Sequence, residues 1–215
     1  MIKYILFALA LIASTIGTSQ STEDVFKSGD YDFHWLGIDY SHVSLVGDFS
    51  EFAAAGNRSA VQIQKTYFPK WNYLIISEPD KYDIRGMMRK SGMKNSIEMI
   101  MKKNAAAAVD DMETYEPRSF TEEEVVEYCK EYDSTGMTGI GFVLMAESMN
   151  KFSRQAVYHL VAIDMSNNHV LLQKRLDGKP MGFGLRNYWA GSIYSVIKQI
   201  KSSEYMSWKR HHAGK

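Results

Sequence analysis

The chain has 215 residues, 45% of them hydrophobic and 23% charged, a balance that excludes global disorder and leaves enough apolar mass for a packed core. Lys+Arg and Asp+Glu both number 25, so the long-range positive field that steers a nucleic-acid binder or a polybasic membrane-surface protein is missing. Cys129 is the only cysteine, which excludes an intramolecular disulfide.

Residues 1–19 read as a secretory signal peptide. Lys3 supplies the positive start, and Tyr4 to Ile12 forms an apolar run of about nine residues, far short of the ~20 that span a bilayer. Gly17 and Ser19 fit a small-x-small cleavage rule that leaves Gln20 as the mature terminus; an uncleaved membrane anchor is the competing reading. Residues 20–30 are polar and are expected as a flexible lead-in. A single globular domain is expected over 31–203, with a frayed tail over 204–215.

Tyr31 to Val46 is rich in aromatic and β-branched residues and reads as extended, with Phe33, Trp35 and Gly37 alternating with His34, Leu36 and Ile38. Asp48 to Asn57 is expected as a loop. Ser59 is placed to cap a helix from Ala60 that carries Val61, Ile63, Tyr67 and Phe68 on its apolar side. Pro69 either kinks that helix or restarts it, and Trp71, Leu74 and Ile75 continue the stripe to the stop at Glu78-Pro79-Asp80. A short helix over 82–90 follows. Ser96 to Met101 is expected as a strand, with helix as its competitor. Thr121 with Glu124 forms a capping box, and Glu122 to Glu124 suit the helix dipole, so a helix is predicted to about Tyr132.

Gly139–Glu147, Val157–Met165 and Val170–Arg175 read as three strands, the last two joined by a tight turn at Ser166-Asn167-Asn168. A final helix is expected from about Asn187, because Trp189, Ile193, Val196, Ile197 and Ile200 make one apolar face. The order of elements predicts an α/β (α+β) domain: a mixed, mainly antiparallel sheet with a C-terminal three-strand meander, flanked by helices.

The hairpin Ile163-Asp164-Met165-Ser166-Asn167-Asn168-His169-Val170-Leu171-Leu172 stands where some bacterial envelope domains carry a DxxTGxVL-like segment. In this arrangement the chain resembles the periplasmic domain of the curli-secretion lipoprotein and the amino-terminal domain of the TolB translocation protein. Asp164 and Val170-Leu171-Leu172 keep the pattern, while Asn167-Asn168 replaces Thr-Gly. The Gly182–Trp189 segment (GFGLRNYW) is similar to one in uncharacterised exported bacterial proteins. The resemblance implies an accessory envelope domain; the lipidated cysteine and long transmembrane hairpins of the secretion channel are missing, so channel function is not implied.

For chemistry, Gly136, Gly139 and Gly141 precede a strand, whereas a dinucleotide loop must follow one and open a helix. Gly182, Gly184, Arg186 and Asn187 do open a helix and form the candidate ligand site, an anion or carboxylate position at exposed backbone N–H groups. Asp32 and His34 share a strand face but lack a visible third metal ligand. Cys129 lies between Tyr128 and Lys130 in a helix and reads as a small packed group. No G-x-S-x-G elbow occurs, and the carboxylates of Asp110-Asp111 and Glu122 to Glu124 read as solvated. Met87, Met88 and Tyr188 are the candidate partner surface. The sequence thus predicts an exported, periplasmic or secreted protein without a cofactor, more a binding or envelope accessory module than an enzyme. Its expected partner is another envelope protein or envelope component, with no nucleic acid and no membrane span after cleavage. A small-ligand or anion binder acting through Gly182–Asn187 is the alternative.

Overall fold

The computed structural model describes residues 20–49 and 60–212. The signal-peptide reading over 1–19 and the cap expected at Ser59 lie outside the described residues, as does most of the loop expected over 48–57.

The strands are β1 (Phe33–Asp39), β2 (Ser44–Val46), β3 (Lys94–Asn95), β4 (Glu113–Thr114), β5 (Ile140–Asn150), β6 (Gln155–Asp164) and β7 (His169–Gly178). The helices are α1 (Ala60–Ser77), α2 (Ile84–Met87), α3 (Glu98–Ala106), α4 (Glu122–Lys130), α5 (Gly184–Gln199) and α6 (Tyr205–His212). β5 organises the sheet. Along one of its edges run β1 and then β2, interrupted by a turn at Tyr40–Val43, and both are parallel to it. β3 adds to β1 and β4 to β2, again in parallel. On its other edge β5 pairs antiparallel with β6, which pairs antiparallel with β7.

Four of the six strand pairings are therefore parallel, and the mainly antiparallel sheet expected from the sequence is overturned; the sheet is a curled half-barrel of α/β type. The reason is connectivity. Parallel neighbours need a crossover of a dozen or more residues, which the helical segments between β2 and β5 supply. Hydrophobic alternation reports which face a side chain takes, and nothing about the direction of the neighbouring strand.

Every residue of β1 is buried, the mark of a strand covered on both faces. One side of the sheet packs against α1 and α5, through Trp35, Ile38, Phe142, Leu144, Tyr158 and Leu160 opposite Phe68, Trp71, Trp189 and Ile193. The other side packs against α4, through Leu36, Val143, Met145, Val161 and Ile163 opposite Val125, Tyr128 and Cys129. At roughly 2 kcal/mol for each large side chain removed from water, these two layers dominate stability.

β1 lacks a full-length neighbour on its outer edge, because β3 ends at Asn95. Two asparagines take over. Asn72 of α1 accepts from the Ile38 N–H at 2.7 Å and donates to the Ile38 carbonyl at 3.1 Å. Asn104 of α3 accepts from the Tyr40 N–H at 2.7 Å and donates to the same Ile38 carbonyl at 2.8 Å. Gly37, at φ 104°, is required here: a Cβ would stand 2.5 Å from the Asn72 Oδ1.

Local chemistry explains several element boundaries. Thr121 and Glu124 cap α4 reciprocally, as the capping box predicts. α1 runs through Pro69 without ending, closing the choice between kink and restart in favour of one helix, and it stops before Pro79. Ser96–Met101, expected as a strand, is instead the entry to α3: its buried residues Ile97, Ile100 and Asn104 are spaced three and four apart, the helical period, and Glu98 favours the first turn. The 20–30 segment, expected as a flexible lead-in, carries a 3-10 turn at Asp24–Phe26 whose residues are all buried. Lys90 holds that turn by donating from Nζ to the carbonyls of Val25 and Lys27. The tail expected to fray over 204–215 is helical as far as His212, the last described residue. α5 passes through a π-helical turn at Ile200–Glu204 into α6, where Tyr205 and Trp208 are buried and the Tyr205 ring meets Phe26 edge-on at 5.6 Å. Among the described residues, no helix is long and apolar enough to cross a membrane.

Candidate functional site

Three strands end together. β2, β4 and β5 are mutually parallel, and Val46 is in register with both Thr114 and Asn150, so their carboxyl ends form one rim of the sheet. In open α/β sheets this is the rim at which binding sites form, because the loops leaving it are free to vary without disturbing the strands. Two aromatic rings stand on it. Tyr115 follows β4 directly and Phe152 lies in the turn after β5; they are 77% and 66% exposed, and their rings stack at 6.3 Å between centroids. The local sequence sets this up. Asn150 Oδ1 accepts from the backbone N–H groups of Phe152 and Ser153, fixing the turn. Gly47, at φ 96°, offers no Cβ where one would stand 3.1 Å from the Phe152 ring.

A groove of about 320 Å³ runs from Thr114 and Glu116 past Arg118 to Ser41 and His42. At that end lies a dense polar cluster built by the end of β1, α3 and the end of α4. Lys103 Nζ donates to Glu131 Oε2 at 2.7 Å and to Ser41 Oγ at 2.5 Å, and lies 3.2 Å from His42 Nε2 and 3.6 Å from Asp39 Oδ2. Tyr132 donates from its hydroxyl to Asp39 Oδ2 at 2.8 Å, and the His42 ring stacks on Tyr128 at 3.8 Å. Burial pushes the Glu131 carboxyl up, but hydrogen bonds from Lys103 and His42 outweigh it and hold the pKa below the ordinary glutamate value. Burial, helped by the Asp39 charge, pushes the neighbouring Cys129 thiol up to about 12, so it packs as a neutral group. Two carboxylates lie beside the Lys103 ammonium, and its donors are occupied. The cluster offers an electrostatic clamp between β1, α3 and α4 rather than a proton acceptor or nucleophile.

A second network sits near the start of α4. The Glu147 carboxylate, 1% exposed, takes hydrogen bonds from His159 Nε2 at 2.8 Å, Arg175 Nη2 at 2.8 Å and the Phe120 N–H at 3.1 Å. Gln173 contacts the other ring nitrogen of His159 at 3.2 Å, and Phe120 stacks on that ring at 5.8 Å. Burial pushes the Glu147 carboxyl up, yet the bonds from His159, Arg175 and Phe120 win and set its pKa at about 2. Among the described residues, no group of three or more His, Cys, Asp or Glu side chains is placed to hold a metal ion.

The sequence-derived candidates fall elsewhere. α5 starts at Gly184, with Phe183 as its N-cap and no side-chain cap, so Asn187 lies inside the first turn and not at its start. Gly182 and Gly184 both take positive φ, at 113° and 75°. Arg186 and Asn187 are exposed, and the Arg186 backbone carbonyl accepts from Trp71 Nε1 at 2.9 Å, an anchor between α1 and α5. Met87 and Met88 are fully buried, which removes the partner surface expected there; their flexible side chains fill the core beneath α2. Tyr188 is half-buried, meeting Trp189 edge-on at 5.3 Å. Asp32 pairs with Lys94 at 2.9 Å and His34 with Ser96 at 2.9 Å, so each of these two residues of one strand face already has a partner. Sequence reading missed Tyr115 and Phe152; the only signal was two large aromatics, each just past a polar residue that ends a strand.

No family model, curated protein or solved structure matches the chain.

Proposed function

We propose that the chain is an exported, non-enzymatic accessory module of the cell envelope that binds a partner protein at the carboxyl rim of β2, β4 and β5. The observation that carries this reading is the Tyr115–Phe152 stack. Two large rings, each more than half exposed, stack against one another at the rim of the sheet. Aromatic side chains lose little conformational freedom on contact and supply much of the energy of protein interfaces. Exposed stacking in water gives less than burial under a partner would. The signal-like start of the sequence and the envelope-domain resemblance over 157–175 support export. The filled hydrogen bonds of the Lys103 and Glu147 networks support binding over catalysis.

The test is in-cell photocrosslinking from position 115 in the full-length exported protein, followed by affinity capture and mass spectrometry. A discrete partner, lost when Phe152 is replaced by Ser and retained when Arg186 is replaced by Ala, is the expected result. An identical crosslinking pattern in wild type and Phe152→Ser overturns the reading.

A further inference from the structure

The described residues bury four carboxylates, and three of them lie beside a cation. Asp24 pairs with Lys27 at 2.7 Å, Asp39 with Lys103 at 3.6 Å and Glu147 with Arg175 at 2.8 Å. The fourth, Asp164 at the end of β6, is 1% exposed and forms no ion pair among the described residues. Its Oδ1 is occupied by the turn it opens, where the Ser166 N–H and hydroxyl donate at 2.9 and 2.6 Å. Its Oδ2 takes one hydrogen bond among the described residues, from the Gln20 backbone N–H at 3.2 Å. A buried charge is costly unless it is both hydrogen-bonded and paired, so this carboxylate is incompletely compensated. The next two residues hold the Gln20 nitrogen in place. Ser21 donates from its N–H and hydroxyl to Asp24 Oδ2 at 2.8 and 2.9 Å, and the Thr22 hydroxyl donates to the Leu171 carbonyl of β7 at 2.7 Å.

We infer that Asp164 is the receptor for the α-ammonium of the processed chain, a site completed by removal of residues 1–19. The small-x-small pattern of Gly17 and Ser19 ends at the Ser19–Gln20 bond, and the nitrogen freed by cutting that bond is the one already at Asp164 Oδ2. Two unrelated signals, small residues before the bond and a cationless carboxylate beyond it, meet at one atom. The inference rests on the export reading and gives the cleavage itself a role. An export endopeptidase adds one water across the Ser19–Gln20 bond. Ser19 departs with the new carboxylate, and the Gln20 nitrogen becomes an amine that takes a proton from solvent. An α-amine has an ordinary pKa of about 7.7–8.0, so it is mostly a cation below neutral pH. The same two atoms then change from an amide–carboxylate hydrogen bond to a charge-assisted ion pair, the stronger kind of contact. Cleavage thereby ties the start of the chain to the β6–β7 hairpin, and the uncut chain lacks that tie. The site is separate from the Tyr115–Phe152 rim.

The first measurement is the intact mass and amino-terminal sequence of the protein expressed at full length in a secreting host. An exported chain beginning at Gln20 with a free amine is the expected result. An exported chain beginning elsewhere, or one lighter by an ammonia because Gln20 has cyclised to an uncharged lactam, overturns the inference and leaves export standing. A chain retained uncut inside the cell overturns the export reading and the inference with it. The second measurement compares the full mature chain starting at Gln20 with one starting at Ser19, which moves the charge one residue away and leaves an amide at Gln20. At slightly acid pH the Gln20 start is expected to melt about 3–6 °C higher, and Asp164→Asn is expected to abolish the difference. Acylation of the α-amine by acetic anhydride, read by peptide mass spectrometry, is expected to be at least tenfold slower for the Gln20 start. Equal melting temperatures, equal acylation, or a difference that survives Asp164→Asn overturns the inference. The acylation comparison needs no substitution and decides the question even where Asp164→Asn does not fold.

Discussion

The two faces of the sheet differ in how completely their buried polar groups are paired. On the α4 face, Glu147, His159, Asp39 and Tyr132 are buried and hydrogen-bonded, and the carboxylates meet cations. On the α1 face, Trp35 and Tyr82 are equally buried and have no partner. A filled network is a structural joint, because the cost of burial is offset within the fold itself. An unfilled pair is a standing cost within the fold. Density of titratable residues therefore points to the wrong place in this molecule: the richest cluster, around Lys103, is the one with the least left to do.

The largest effect that tests this contrast is at Glu147. Replacing it with Ala strands the His159 ring, the Phe120 N–H and the Arg175 charge, and should cost roughly 3–5 kcal/mol in urea unfolding. A loss under about 1 kcal/mol would mean the network is not a joint. The same carboxyl sets an acid limit. Its folded pKa of about 2 lies below the ordinary 4.5, so its stabilisation is complete above pH 4.5 and is lost as pH falls toward 2. In Glu147→Gln that part of the acid sensitivity should vanish.

Next is Asn72, which stands in for a strand. Asn72→Ala leaves the Ile38 N–H without its acceptor, and a loss of about 2 kcal/mol is expected, with faster amide exchange at Ile38 as the local signature. Lys90 lies between the extremes. It donates to two carbonyls and sits 4.1 Å over the Phe33 ring, but burial, with the Lys209 charge beside it, pulls its pKa from 10.5 to about 7. The unfolded chain thus holds an extra proton between those values, so stability should rise with pH from about 7 toward 9. The slope should approach about 1 kcal/mol per pH unit and be absent in Lys90→Met. The smallest effect belongs to Tyr82→Phe, within about 0.5 kcal/mol of wild type and opposite in kind to Glu147→Ala.

Local signals in the sequence marked what local chemistry decides. The Thr121–Glu124 box, the Glu78-Pro79 stop and the apolar face from Trp189 to Ile200 are each written in a few adjacent residues. What stayed hidden was set at a distance. β3 and β4 are two residues each, too short for any periodicity, and they exist because β1 and β2 offer edges to them. Met87 and Met88 read as surface because they sit in a short irregular stretch, and only the packing of α2 against α5 buries them. Tyr205 and Trp208 looked like a loose tail until the 3-10 turn at Asp24–Phe26, at the other end of the chain, supplied their neighbours. The candidate rim shares this property: Tyr115 meets Phe152 only once β2, β4 and β5 are in register.

The parallel seam between β1 and β5 also fixes an order of events in time. Phe33 finds its register opposite Ile140, more than 100 residues further along. A chain made or moved from its amino end must therefore carry β1 without its β5 neighbour until nearly two thirds of its length has emerged. During that interval the β5–β6–β7 hairpins do not yet exist, and β1 has only the two residues of β3 and the preceding helices for company. Completion of the sheet is thus a late event, and a chain crossing a narrow pore amino end first would remain threadable until β5 has passed through.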